Sequence, residues 1–165
     1  FVEYQARYIE AQVEAGAHGI WLGDCNAFSA MLSVDQYRNF AFDPCRRLVK
    51  KAHDAGAFIH LHNSEISIPH ILAEAELGVD IISIGPAADI AEVRKALDGK
   101  CCFSGNLDPI GTLLRGSVAD VEKQARRIVK TCRGTGYVFN SGEMIPRDVP
   151  VENMKAMVKA AREAS

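Results

Sequence analysis

One rhythm runs the length of the chain and leaves few folds open to it: an amphipathic helix, a glycine, a short apolar or β-branched strand, then a polar cluster. It is written as Glu14-Ala15-Gly16 before Gly19-Ile20-Trp21-Leu22-Gly23-Asp24, and as Asp54-Ala55-Gly56 before Ala57-Phe58-Ile59-His60-Leu61-His62. It recurs as Leu77-Gly78 before residues 79–85, Asp98-Gly99 before residues 100–105, and Gly134-Thr135-Gly136 before residues 137–141. The glycines read as helix stops. Helices are predicted near 2–15, 34–55 with an interruption at Asp43-Pro44, 69–77, 89–97, 118–132 and 150–163. Ser33 and Asp89 read as helix caps.

Strands alternating with helices of this length imply right-handed crossovers and a parallel sheet, so the expected class is α/β. Such even repeats suggest a (β/α)8 TIM barrel, but five strands are too few to close one. The expectation is therefore a partial barrel of about five βα units, with an unpaired edge near Ile20-Trp21-Leu22. An N-terminal portion of a longer protein, or a second copy in a homodimer, is expected to cover that edge. The chain opens at Phe1, without Met, inside what reads as a helix, as a fragment does. No linker or composition shift divides it, so residues 1–165 are expected to form a single domain.

The 165 residues are 48% hydrophobic and 24% charged with a formal net charge of -2, an ordinary globular composition. Without a strongly basic face, nucleic acid is not an expected partner; a small molecule is. The five cysteines are odd in number and follow no ligand spacing, which fits a reduced, cytoplasmic chain. No apolar run approaches the roughly 20 residues of a transmembrane helix, and the N-terminus lacks a signal-peptide layout.

A strand repeats its facing every second residue, so His60 and His62 leave on one side. Two convergent imidazoles make half a metal site, although the pair alone equally fits two polar residues hydrogen-bonded inside a barrel. Asp24, His60, His62, Asn106, Asp108 and Glu143 all fall at or just past the C-terminal end of a strand, the face where barrel enzymes build their sites. Each has a local alternative, since Asp24 or Asn63 can form a turn and Asp108 can cap a helix. Their convergence carries the functional reading. His18, His53 and His70 read as surface or capping residues. Cys25 reads as a buried small hydrophobe in preference to an extra ligand, Cys101 and Cys102 as packing residues, and Trp21 and Tyr137 as core.

Gly105-Asn106-Leu107-Asp108-Pro109, followed by Leu113-Leu114 and Gly116, resembles the uroporphyrinogen decarboxylase superfamily. Leu32-Ser33-Val34-Asp35-Gln36-Tyr37 with Phe40 and Pro44 looks like that superfamily's "LSPEQYxEFxxP" helix. Residues 145–153, from Ile145-Pro146-Arg147-Asp148 to Asn153, look like its "IPxDTPxEN" ending. The superfamily's decarboxylases are metal-free, whereas its corrinoid-linked methyltransferases carry a zinc-binding "HxC" pair and a cysteine near the last loop. Matched onto this chain, those three positions are His60, His62 and Glu143, so an imidazole and a carboxylate replace two thiolates.

The resemblance implies a metal set of His60, His62 and Glu143, catalytic roles for His60, Glu143 and Asp24, and substrate contacts from Asn63, Asn106 and Asp108. Two histidines and a carboxylate with one open position suit zinc, and suit iron or another divalent metal better than a sulfur set does. The implied activity is methyl transfer between a corrinoid carried by a partner protein and a small-molecule methyl donor or acceptor, in either direction. The runner-up is a metal-free decarboxylase acting on uroporphyrinogen. A third reading is a non-catalytic corrinoid- or tetrapyrrole-binding module.

Overall fold

The computed structural model describes residues 1–134 and 136–165, so Thr135 of the expected stop before the last strand lies outside the described residues. The elements run α1 (Val2–Glu14), β1 (Gly19–Gly23), α2 (Val34–Phe40), α3 (Phe42–Asp54), β2 (Phe58–Glu65), α4 (Ile68–Ala75) and β3 (Ile81–Ile84). They continue with α5 (Ile90–Ala96), β4 (Cys102–Leu107), a π-helical segment (Pro109–Leu114), α6 (Val118–Thr131), β5 (Tyr137–Ser141) and α7 (Val151–Ala164). The strands form one open parallel sheet in sequential order, β1 to β5. Sequential order with a helix in every crossover is five βα units of a (β/α)8 barrel.

The local signals account for the boundaries. Ser33 accepts from the Gln36 amide and Gln36 reaches back in a capping box, and Asp89 accepts from the Ala91 and Glu92 amides. The interruption falls at Ala41, because Pro44 lacks an N–H and is tolerated only in the first turn of α3. The stops Gly16 and Gly56 have φ of 101° and 87°, a region that only glycine enters without strain.

Alternation decides what each strand residue meets. Ile59, Leu61, Ile82, Ile84 and Phe103 are buried with Ile71, Val93, Leu113, Val121 and Ile128 in one hydrophobic core. The register places Trp21, His60, Ile81 and Cys102 side by side on the opposite, open face, with His62, Ser83 and Ser104 one step nearer the C-terminal ends. Trp21, expected in the core, is 61% exposed there, since β1 buries only Ile20 and Leu22. No helix among the described residues is long and apolar enough to cross a membrane.

Candidate active site at the C-terminal ends of the strands

β2 presents both imidazoles to the open face, as its period requires. The His62 Nδ1 lies 2.8 Å from the Ser83 hydroxyl on β3. The His60 Nε2 lies 3.2 Å from the Ser104 hydroxyl on β4. Burial, then the neighbouring His62, hold the His60 imidazole below its ordinary value of 6.5, favouring the neutral, lone-pair-bearing form. The Trp21 ring stands 5.1 Å from that of His62, shielding one side.

Glu143 follows β5 and reaches over the same region. Its Oε1 lies 3.7 Å from the His62 Nε2 and accepts from the Ser64 hydroxyl at 2.9 Å, while Oε2 accepts from the Met144 amide at 2.8 Å. At 3.7 Å the imidazole and carboxylate are too far apart for a direct hydrogen bond. Two ligands at about 2.1 Å from one tetrahedral cation would stand about 3.4 Å apart, so the gap is close to that of co-ligands.

Of the expected metal set, the structure thus brings His62 and Glu143 together and turns His60 toward Ser104. Among the described residues, no three His, Cys, Asp or Glu side chains are gathered as a metal-holding group. The donors fit a divalent cation in kind: two imidazoles, one of them held in its neutral form, hydroxyl partners that orient their rings, and one carboxylate.

The other expected site residues are elsewhere. Asn63 is an odd-numbered residue of β2, so it faces the helices, buried, and donates to Glu74 of α4. Asn106 is also buried; its amide donates to the carbonyls of Gly85 and Ala88 at 3.1 and 2.9 Å, tying down the loop after β3. Asp108 caps the π-helical segment through the Ile110 and Gly111 amides, so its local role prevails. Asp24 turns toward α3, where the Cys45 thiol donates to it at 3.4 Å; burial raises its carboxyl above the usual range. None of the four side chains hydrogen-bonds the side chain of His60, His62 or Glu143 among the described residues, although the Asp24 amide donates to the His62 carbonyl at 2.8 Å.

Two lesser expectations are also corrected. Cys25 is exposed, its Sγ 3.9 Å from the His62 carbonyl. His70 is buried, its Nε2 2.9 Å from the Leu32 carbonyl, and so braces the loop before α2. Tyr137 packs against the core as expected, half-buried, with its hydroxyl donating to the Gly105 carbonyl and its ring 5.1 Å from Phe103. His18 and His53 are exposed, as expected.

Sequence reasoning missed Ser83 and Ser104, which brace the imidazoles, and Glu65, which braces the loops. The fully buried Glu65 carboxylate accepts from Ser29 N at 2.8 Å and Ser29 Oγ at 2.5 Å. It also takes the Ile66 and Ser67 amides at 2.7 and 2.8 Å, tying the β1–α2 loop to the start of α4. The serines had a usable signal: Ser83 on β3 and Ser104 on β4 are paired in register and share the open face of the histidines.

The family model for uroporphyrinogen decarboxylase (URO-D) matches residues 1–164. The uroporphyrinogen decarboxylase of Chlorobaculum tepidum is 33% identical over 163 residues, covering 96% of this chain and 45% of that protein. That of Trichodesmium erythraeum is 30% identical over 164 residues, covering 97% and 44%. Among solved structures, a methyltransferase from Methanosarcina mazei superposes with a TM-score of 0.86 at 25% identity, covering 98% of this chain and 47% of that one. This chain belongs to the uroporphyrinogen decarboxylase family. It spans about half the length of the curated relatives it matches.

Proposed function

We propose that this chain forms the C-terminal part of a cytoplasmic, metal-dependent methyltransferase of the family, moving a methyl group between a corrinoid on a partner protein and a small donor or acceptor. The observation that carries the reading is the His62–Glu143 pair. An imidazole whose Nδ1 is occupied by Ser83 and a carboxylate braced by two donors face each other at 3.7 Å on the enzyme face of the barrel. The likeness to a methyltransferase over 98% of the chain supports it.

A divalent metal held there supplies Lewis acidity, which lowers the pKa of a thiol acceptor or polarises the oxygen of a methoxylated donor. The chain's own residues do the rest. His62 gives its Nε2 lone pair while Ser83 accepts the Nδ1 proton and fixes the ring. Glu143 contributes the negative charge, and His60 completes the set by exchanging its bond to Ser104. Trp21 walls off solvent beside His62. The exposed apolar residues of the open face, Trp21, Phe58 and Val138, need cover from further chain of the same protein.

A second reading, decarboxylation of uroporphyrinogen, is favoured by the names of the relatives at 30–33% identity. One experiment separates the two. The full protein is given methylated corrinoid with thiols and a folate, then reduced corrinoid with methoxylated and methylamine donors, and separately uroporphyrinogen. Elemental analysis is run alongside. The proposal expects about one metal per chain, far less in His60→Ala, and a change in the cobalt spectrum that chelation abolishes. Decarboxylation that survives chelation, with no transfer at cobalt, would establish the second reading instead.

A further inference from the structure

Ser64 is the one non-glycine residue with positive φ among the described residues, at 56°. The left-handed region is disfavoured for serine and open to glycine, so a serine there is strained unless its surroundings impose the conformation. They do. The register between β2 and β3 advances four residues on β2, Leu61 to Glu65, against two on β3, Ile82 to Ile84, so β2 bulges across residues 62–64. Beyond the bulge the Glu65 carboxylate is locked by Ser29, Ile66 and Ser67, and the Glu65 carbonyl accepts from the Gly85 amide at 2.9 Å. Gly85 leaves no room for a Cβ, which would collide with the Ser64 carbonyl oxygen.

This backbone would accept glycine more easily than serine, so its shape gives no reason for a side chain. Among the described residues the hydroxyl has one partner: it donates to Glu143 Oε1 at 2.9 Å, the same oxygen that faces the His62 Nε2 at 3.7 Å. The Ser64 amide meanwhile donates at 3.4 Å to the Ser83 hydroxyl, which braces His62 Nδ1. One residue therefore touches the supports of both halves of the pair. We propose that Ser64 is a positioning residue, whose hydroxyl, held out by the β2 bulge, sets the Glu143 carboxylate against His62.

The inference rests partly on the metal reading, so its test carries one readout that needs no metal. Ser64→Gly and Ser64→Thr are made in the full protein. Unfolding midpoint, amide exchange of residues 142–145, and affinity for Co2+, with its visible spectrum, are measured. Glycine relieves the backbone and removes the hydroxyl; threonine keeps the hydroxyl and adds strain.

The expected results cross. Ser64→Gly is at least as stable as wild type, yet exchanges faster at 142–145 and binds Co2+ about tenfold more weakly with an altered spectrum, the usual size of effect for a lost outer support. Ser64→Thr is less stable yet keeps slow exchange and wild-type affinity. A hydroxyl that served only stability would lower the midpoint and leave affinity alone. If Ser64→Gly keeps wild-type exchange and affinity, the inference is overturned. If wild type itself binds no metal, the metal reading falls, and exchange alone decides: equal rates in the two variants overturn the tether.

Discussion

Glu74 is fully buried on α4, and among the described residues its only hydrogen-bond donor is the Asn63 amide, with Oε2 left unpartnered. Desolvation pushes its carboxyl up from 4.5 to about 8; the Asn63 bond lowers it, while the charges of Glu65 and Asp24 raise it further. The folded chain therefore holds a proton that the unfolded chain releases from about pH 4.5 upward. Stability from this group is full below pH 4.5, falls as pH rises toward 8, and is flat above. At about 1.4 kcal/mol per pH unit, the window from 4.5 to about 8 is worth about 5 kcal/mol at most.

Glu74→Gln keeps the shape and the acceptor for Asn63 and cannot ionise. Urea unfolding followed by circular dichroism from pH 5 to 9 should show this variant close to wild type at pH 5. By pH 8 it should be more stable by roughly 2–4 kcal/mol, allowing for relaxation around the charge. A variant whose stability falls with pH as steeply as wild type, or that is less stable at pH 8.5, would refute the assignment of a buried proton to Glu74.

The remaining predictions concern the loops that frame the site. Glu65→Ala strands the amides of Ser29, Ile66 and Ser67 and should cost about 3 kcal/mol in urea unfolding, with faster amide exchange in residues 27–33. Asn106→Ala removes both side-chain bonds to the loop after β3 and should cost about 2 kcal/mol by the same measure; an unchanged midpoint would return Asn106 to the substrate side of the argument.

The barrel units were legible because their signals are local: glycine stops, the Ser33 and Asp89 caps, and apolar runs of strand length each act within one turn or one strand. The site was legible only as far as the period of a strand reaches. His60 and His62 share a face by parity, and so do Ser83 and Ser104 once the parallel register is known. Asn63 was misread because β2 continues to Glu65 instead of ending at His62, which makes Asn63 a strand residue with helix-facing parity. Asn106 failed for another reason: it shares the parity of Ser104, but its amide is taken by the carbonyls of Gly85 and Ala88, a tertiary contact that strand period does not reveal. Glu65 and Glu74 left no trace in composition, because a carboxylate in a chain that is 24% charged passes for surface. The apolar setting of Glu74 in Ile68-Pro69-His70-Ile71-Leu72-Ala73-Glu74-Ala75 was the usable signal: α4 has little polar face on which to expose it.

The same strand geometry explains why the three expected donors are not gathered. Two residues along a strand are roughly 6.6 Å, so His60 starts one layer below His62, level with Trp21, Ile81 and Cys102. Its ring nevertheless reaches upward, because Ser104, its partner at 3.2 Å, belongs to the layer of His62 and Ser83. The His60 Nε2 is thus already directed toward the C-terminal end, and joining His62 and Glu143 requires exchange of one hydroxyl bond. Removing that hydroxyl by Ser104→Ala frees the ring without touching any of the three donors, so metal affinity in this variant reports what Ser104 does for His60. The expected result is a rise, because the Ser104 hydroxyl occupies the Nε2 that would join the metal; a fall would refute this and make the hydroxyl a support that orients the ligand.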